Sequence, residues 1–280
     1  MVFATVAFTL GDAAMRMASG AVPTGQSVFM RSLTSVVVVM LVAHFTGKLR
    51  MLRRALVPWM GWRCAGDAGN SLMFQAALAR MPFADIMGVL QLTPLSLTAA
   101  SAIFLGAAVG WRRWAAVGAG LVGALLVIKP GTSAFNIWAI VAIGAVLCGT
   151  LRDVATRRLD HGIPTLLILL VSQMAVAAGG LGLSWLQGWA WPGLGPTALI
   201  VFAGLMTLLG HLWMIISLRI GEISAVAPFR YAGIIWAIVV GFIVFREIPD
   251  FWSLAGMAVL VAAGLYAFYR ERRLQMSPRG

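Results

Sequence analysis

The chain has 280 residues, of which 61% are hydrophobic and only 11% charged, less than half the share of about 25% charged in soluble proteins. Such a composition leaves almost nothing for a soluble domain and makes this a polytopic membrane protein in a lipid bilayer. The net charge of +12 is then read as loop charge that sets orientation, not as a surface for nucleic acid.

Windows long enough to cross a ~30 Å hydrocarbon layer, about 20 residues each, number ten. The first, 1–18, has no basic leader and no small-residue cleavage site and is read as a retained helix. It carries Asp12 and Arg16 four residues apart, a spacing that favours a structural ion pair on one helix face. Span 2, 26–45, opens on VFMRS, where Arg31 is placed to join that pair. Span 3, 58–79, holds Asp67 on one polar stripe with Asn70, Ser71 and Phe74. At 1.5 Å per residue, Asp67 lies ~12 Å inside the span.

Span 4, 83–107, has Asp85 in its first turn, where a helix N-terminus favours an acid, and then QLTPL with Gln91 and Pro94. A proline frees a carbonyl and permits a kink, which in a transporter can gate. Span 5, 114–130, contains GAGLVG; it matches a dinucleotide fingerprint, but with no preceding strand it is read as helix packing. Span 6, 135–151, ends in LRDVATRRL, and span 7 covers 164–186. Span 8, 196–218, brings His211 to a depth similar to that of Asp67, with Trp213 beside it; the near-neutral titration of histidine makes His211 a candidate for proton coupling. Span 9, 223–245, follows Glu222, read like Asp85 as a capping acid, and contains APFRYAGI with Pro228, Arg230 and Tyr231, then Trp236. Arg230 lies ~10 Å from the span end, level with Asp67. Span 10 is 251–269.

Fourteen basic residues, among them Arg50, Arg112, Arg152, Arg219 and Arg270, fall on one side of these spans, against Arg80, Lys129 and Arg246 on the other. The positive-inside rule therefore puts both termini in the cytoplasm. Most tryptophans lie near span ends, as interfacial rings do, whereas Trp213 and Trp236 do not. The chain also repeats itself: LGDAAMRMA aligns with LRDVATRRL, pairing Asp12 with Asp153 and Arg16 with Arg157 at a separation of 141. Pro23 with Pro164, Arg80 with Arg219 and Gly118 with Gly256 keep nearly that offset. Five spans per half make the second half inverted, an arrangement typical of secondary transporters with a midplane site. The expected fold is all-α, with ten transmembrane helices in two inverted five-helix repeats, 1–133 and 134–280, around a central cavity.

These halves, with GDAAMR in span 1, VFMRS in span 2, QLTPL in span 4, APFRYAG followed by FRE in span 9, and the glycine-bearing spans 5 and 10, resemble the EamA branch of the drug/metabolite transporter superfamily. The resemblance covers essentially the whole chain and is greatest to the branch's bacterial amino-acid exporters. It implies export of amino acids and similar small amphipathic metabolites across the bacterial inner membrane by alternating access, with no cofactor. A departure is the glutamate that the family often carries after spans 4 and 9: Glu247 has only Ala108 or Val109 opposite it.

The substrate-binding candidates are Asp67, Asn70, Ser71, Gln91, His211, Trp213, Arg230, Tyr231 and Trp236, with Pro94 and Pro228 as gating positions. Aromatic walls with a few polar tips suit amphipathic ligands. Arg230 is expected to hold Asp67 or a substrate carboxylate through its fork of donors. An intramembrane aspartyl protease using Asp12 and Asp67 is the alternative, since each follows a glycine in an apolar span and two carboxylates can share a proton. The glycine that its signature needs at position 64 is replaced by Cys64. No GxSxG, HExxH or CxxC occurs, and Cys64 and Cys148 are too far apart to suggest a metal site, so no catalytic or metal residue is assigned.

Overall fold

A computed structural model describes residues 2–55, 57–104, 110–130, 136–160, 162–220 and 231–276, and all regular elements among the described residues are helical. In chain order these are α1 (Val2–Ala18), α2 (Thr24–Phe45), a 3₁₀ helix (Lys48–Ala55), α3 (Pro58–Leu78), α4 (Phe83–Leu90), α5 (Thr93–Phe104) and α6 (Trp111–Ile128). They continue with α7 (Trp138–Arg157), α8 (Thr165–Gln187), α9 (Leu194–Ile220), α10 (Ala232–Phe245) and α11 (Phe251–Met276). Prolines start several of them: Pro23, Pro82 and Pro164 each precede a first turn, and Pro58 occupies one. Fixed φ and a missing N–H cost nothing there.

Among the described residues, six stretches are long and apolar enough to cross a bilayer: Thr24–Phe45, Phe83–Ala100, Trp138–Arg157, Thr165–Gln187, Leu194–Trp213 and Phe251–Tyr269. Trp114–Ile128 and Ala232–Phe245 are shorter apolar helices. Large side chains such as Phe3, Leu41, Leu121, Met174 and Phe242 are exposed along the outside of the bundle, as a lipid-facing surface requires.

Within the stretch Phe83–Ala100 the kink that Pro94 permits is a full break: α4 ends at Leu90 and α5 begins at Thr93, because Pro94 in the new first turn cannot donate back across it. One expectation is corrected. Arg152 was expected in a loop, yet α7 runs on to Arg157 and carries it inside the bundle, where acids meet it.

The helices pack in pairs: α1 along α9, α3 along α7, α2 along α8 and α6 along α11. Glycines set how near these pairs come. A Cβ added at Gly66 of α3 would lie 2.7 Å from the Cys148 carbonyl oxygen of α7, and one at Gly180 of α8 would lie 2.7 Å from the Phe29 nitrogen of α2. In each case backbone rests on backbone, which gives dispersion contact that apolar lipid cannot outcompete. The largest buried cluster joins both halves of the chain, from Met15 and Phe74 through Ile86 and Leu95 to Ile200, Met257 and Leu260.

Candidate functional site: charges enclosed by α1, α2, α3, α7, α8 and α9

Asp67 sits half-buried on α3, and its carboxylate is met by two arginines. Arg63, one turn earlier on the same helix, brings Nη1 to 3.7 Å, and Arg152 of α7 brings Nη1 to 3.4 Å. Arg152 is shared in turn with Asp153, its Nε donating to Oδ1 at 2.9 Å. Arg63 also donates to the Ser172 hydroxyl of α8, while its Nε is buried without an acceptor. A charge inside an apolar bundle is costly, by about 3 kcal/mol on insertion scales, and this reciprocal pairing offsets the cost.

One turn up α3, Ser71 accepts a hydrogen bond from Arg31 Nη2 of α2 at 3.0 Å. Arg31 is only 8% exposed and feels the charges of both Asp12 and Asp67. Asp12 of α1 is half-buried, and among the described residues it accepts no hydrogen bond and meets no cationic nitrogen within 4 Å. Three aspartates thus face three arginines, a formally neutral set in which Asp67, Asp153, Arg63 and Arg152 are joined by ion pairs, whereas neither Asp12 nor Arg31 touches an opposite charge. His211 of α9 lies within electrostatic reach of Asp67, Arg63 and Arg152, holds the Thr207 carbonyl oxygen through Nδ1 at 2.8 Å, and meets the Phe8 ring edge-on at 5.0 Å.

A second polar network closes one end of the bundle. Arg16, at the C-terminal end of α1, forks onto Glu247: Nη1 donates to Oε2 at 2.9 Å, and Nη2 reaches Oε1. Glu247 Oε2 also accepts the Phe83 backbone N–H at the start of α4 at 2.8 Å. The Arg16 guanidinium lies 4.5 Å over the Phe245 ring. The anticipated Asp12–Arg16 pair is therefore replaced, since Glu247 offers bidentate geometry that an i, i+4 aspartate does not.

Beside this clamp, Lys129 and the Ser253 backbone N–H hold the Asp250 carboxylate and lower its pKa from the ordinary 3.8. Lys129 (φ 54°) and Arg246 (φ 57°) are left-handed, a conformation rare outside glycine that ends α6 and α10, and Glu247 directly follows Arg246. A cleft of about 320 Å³ opens here, lined by Pro82, Asp85, Lys129, Asn136, Glu247 and Asp250 among others. Asp85, read as a cap, makes no side-chain cap bond, and its Oδ1 is buried without a partner.

The remaining candidates are distributed as follows. Asn70 donates to the Ala145 carbonyl oxygen at 2.8 Å, which joins α3 to α7. Gln91 sits at the α4–α5 break near Gly233 of α10 and Thr5 of α1. Trp213 is 39% exposed and tilts against Phe3, 5.8 Å between ring centres. The Trp236 indole nitrogen is buried without a partner, and the Tyr231 hydroxyl rests on Gly264 of α11. Pro228, Arg230 and Glu222 lie outside the described residues.

Arg63 and Arg152 were not among the sequence candidates. Arg63 carried a signal, four residues before Asp67; Arg152 carried none, since only its tertiary position reveals it. The aspartyl dyad has no support: the Asp67 carboxylate is met by Arg63 and Arg152, and among the described residues no second carboxylate pairs with it.

No family model matches the sequence. The chain is 26% identical over 267 residues to the pseudopaline exporter CntI of Pseudomonas aeruginosa, which covers 94% of this chain and 92% of that protein. It is 26% identical over 206 residues to a riboflavin transporter of Rhizobium johnstonii, covering 72% and 67%. With an S-adenosylmethionine uptake transporter of Rickettsia prowazekii it shares 24% over 167 residues, covering 60% and 56%. A crystal structure 19% identical in sequence superposes with a TM-score of 0.65 over 98% of this chain and 97% of the other, which shows a shared fold. The chain is thus a helical protein similar, over nearly its whole length in one case, to proteins that move small metabolites.

Proposed function

We propose that the chain is a secondary transporter that exports amino acids and similar small metabolites across the bacterial inner membrane by alternating access. The observation that carries this reading is the neutral set of three aspartates and three arginines enclosed by six helices, with Asp12 unpartnered. A set of this kind stabilises a guest bearing both charges and costs little to keep inside a membrane without one. The named relatives support transport in general, whereas amino acids as the cargo rest on the family resemblance.

Helix packing supports the inverted repeat. Replacing each helix by its counterpart one half later turns the α1–α9 pair into α7–α3, and the α3–α8 pair into α9–α2. The α2–α8 and α6–α11 pairs map onto themselves, as pairs astride a twofold axis do. On this reading the repeats are 1–133 and 134–280, and the binding site lies between them. It draws on Asp67, Ser71, Gln91, His211 and Trp236, and on Arg230, with Pro94 and Pro228 as hinges.

The test is uptake by purified chain in liposomes, with a panel of amino acids, riboflavin and S-adenosylmethionine, with and without a pH gradient. Saturable flux of an amino acid is expected. Flux that rises linearly with concentration would make the protein a channel, and saturable flux of only the other two compounds would replace amino acids as cargo.

A further inference from the structure

Asp12 stands apart from the rest of the cluster in having no partner, and its direction is readable from α1 itself. Phe3, Leu10 and Met17 recur every seven residues and are 72%, 40% and 54% exposed, which marks the lipid side. Asp12 follows Leu10 by two residues, about 200° around the helix, so its partial exposure is to the bundle interior. Phe8, one turn earlier on the Asp12 side, leans against His211.

Arg31 faces the same interior from α2. Ser71 holds one arm of its fork, and its other N–H groups meet no acceptor among the described residues. Those groups are not sealed off, in contrast to Arg63 Nε, which is both buried and unpartnered. Asp12 and Arg31 therefore feel each other's charge without touching. Asp67 is unlike Asp12 in this respect, because two arginines already occupy its oxygens.

We infer that Asp12 and Arg31 form a subsite for the two charged ends of an α-amino acid, Asp12 accepting hydrogen bonds from its ammonium and Arg31 donating to its carboxylate, with Phe8 and His211 beside the side chain. The inference rests on the transport reading above and names the chemical handle that such a carrier reads. Both contacts are charge-assisted, the strong class of hydrogen bond, and both charges of the guest are met where water is scarce.

Phenylalanine, phenylalanine amide and N-acetylphenylalanine separate the two contacts, since the amide keeps only the ammonium and the N-acetyl compound only the carboxylate. Binding is read as a shift in melting temperature of the full chain in detergent, and transport as competition for phenylalanine flux into liposomes. The wild-type protein is expected to prefer phenylalanine over either derivative by about tenfold or more. Asp12→Asn should erase the preference over the N-acetyl compound and keep that over the amide; Arg31→Met should do the reverse. Arg31→Lys, which keeps the charge and loses the fork, should retain a weakened form of the wild-type pattern and covers the case in which Arg31→Met does not fold.

Crossed loss of preference cannot arise from general damage. No binding of phenylalanine by the wild-type protein, unchanged preferences in the variants, or equal loss for all three compounds would each overturn the subsite. Phenylalanine binding with the crossed pattern but without saturable flux would instead keep the subsite and remove the transport reading. Saturable flux indifferent to Asp12 and Arg31 would do the opposite.

Discussion

Glu247 joins three separate parts of the chain through one carboxylate: the end of α1 by Arg16, the start of α4 by the Phe83 N–H, and the α10–α11 turn on which it sits. Arg16 and Glu247 side chains are 16% and 30% exposed, so the pair is neither fully screened nor fully desolvated. Removing the charge leaves the Arg16 fork and one backbone donor poorly matched. Glu247→Gln is expected to lower stability by about 2 kcal/mol, read as a fall of the melting midpoint in detergent. A midpoint equal to that of wild type would mean that water serves Arg16 equally well. The i, i+4 spacing of Asp12 and Arg16 promised a pair because it considers one helix alone. An acid 231 positions further along the chain wins by geometry, which helix spacing does not encode. Asp67 was legible for the converse reason: an acid within an apolar span is costly and tends to face the bundle interior, although whether a cation meets it, as at Asp67, or not, as at Asp12, was a tertiary matter.

At the scale of elements, the α6–α11 crossing depends on two glycines. A Cβ added at Gly256 would lie 2.5 Å from the Gly123 carbonyl oxygen, and one at Gly123 would lie 2.8 Å from the Gly256 carbonyl oxygen. Neither backbone can yield without parting the helices. Gly256→Leu is expected to destabilise the protein by about 3 kcal/mol or more, seen as loss of monodisperse protein on gel filtration or a sharply lowered melting midpoint. Gly118→Leu is the control, because a Cβ there meets nothing within 4 Å and the new side chain is accommodated. Equal behaviour of the two variants would refute the contact. Within GAGLVG, Gly123 is the glycine whose backbone rests against that of Gly256, while a Cβ at Gly118 meets nothing. The GAGLVG stretch was correctly read as packing, but which of its glycines faces the neighbour depends on helix rotation. The α4–α5 break shows the other side of this balance, since Pro94 imposes a local rule that no tertiary contact can override.

At the scale of the molecule, the loop charges predict orientation. A reporter fused after Gly280 is expected to be cytoplasmic, and a cysteine label near Lys129 to react from outside; the reverse pattern would overturn the assignment. Hydropathy located the helices because every backbone polar group in hydrocarbon must be satisfied within its own segment, so span-length apolar runs have to be helices. The all-helical character, the approximate ends of several apolar helices and the cost of placing Asp12, Arg31 and Asp67 among them follow from composition and spacing alone. Tertiary structure decided the rest. It took Arg152 out of its presumed loop to neutralise Asp67, gave Glu247 to Arg16, set Asn70 to joining α3 with α7, and left Asp12 facing Arg31 without contact. Partners of charge are chosen across helices by distances of a few ångströms. Those distances follow from helix rotation and close glycine crossings, and an apolar sequence specifies these only when all the helices pack together.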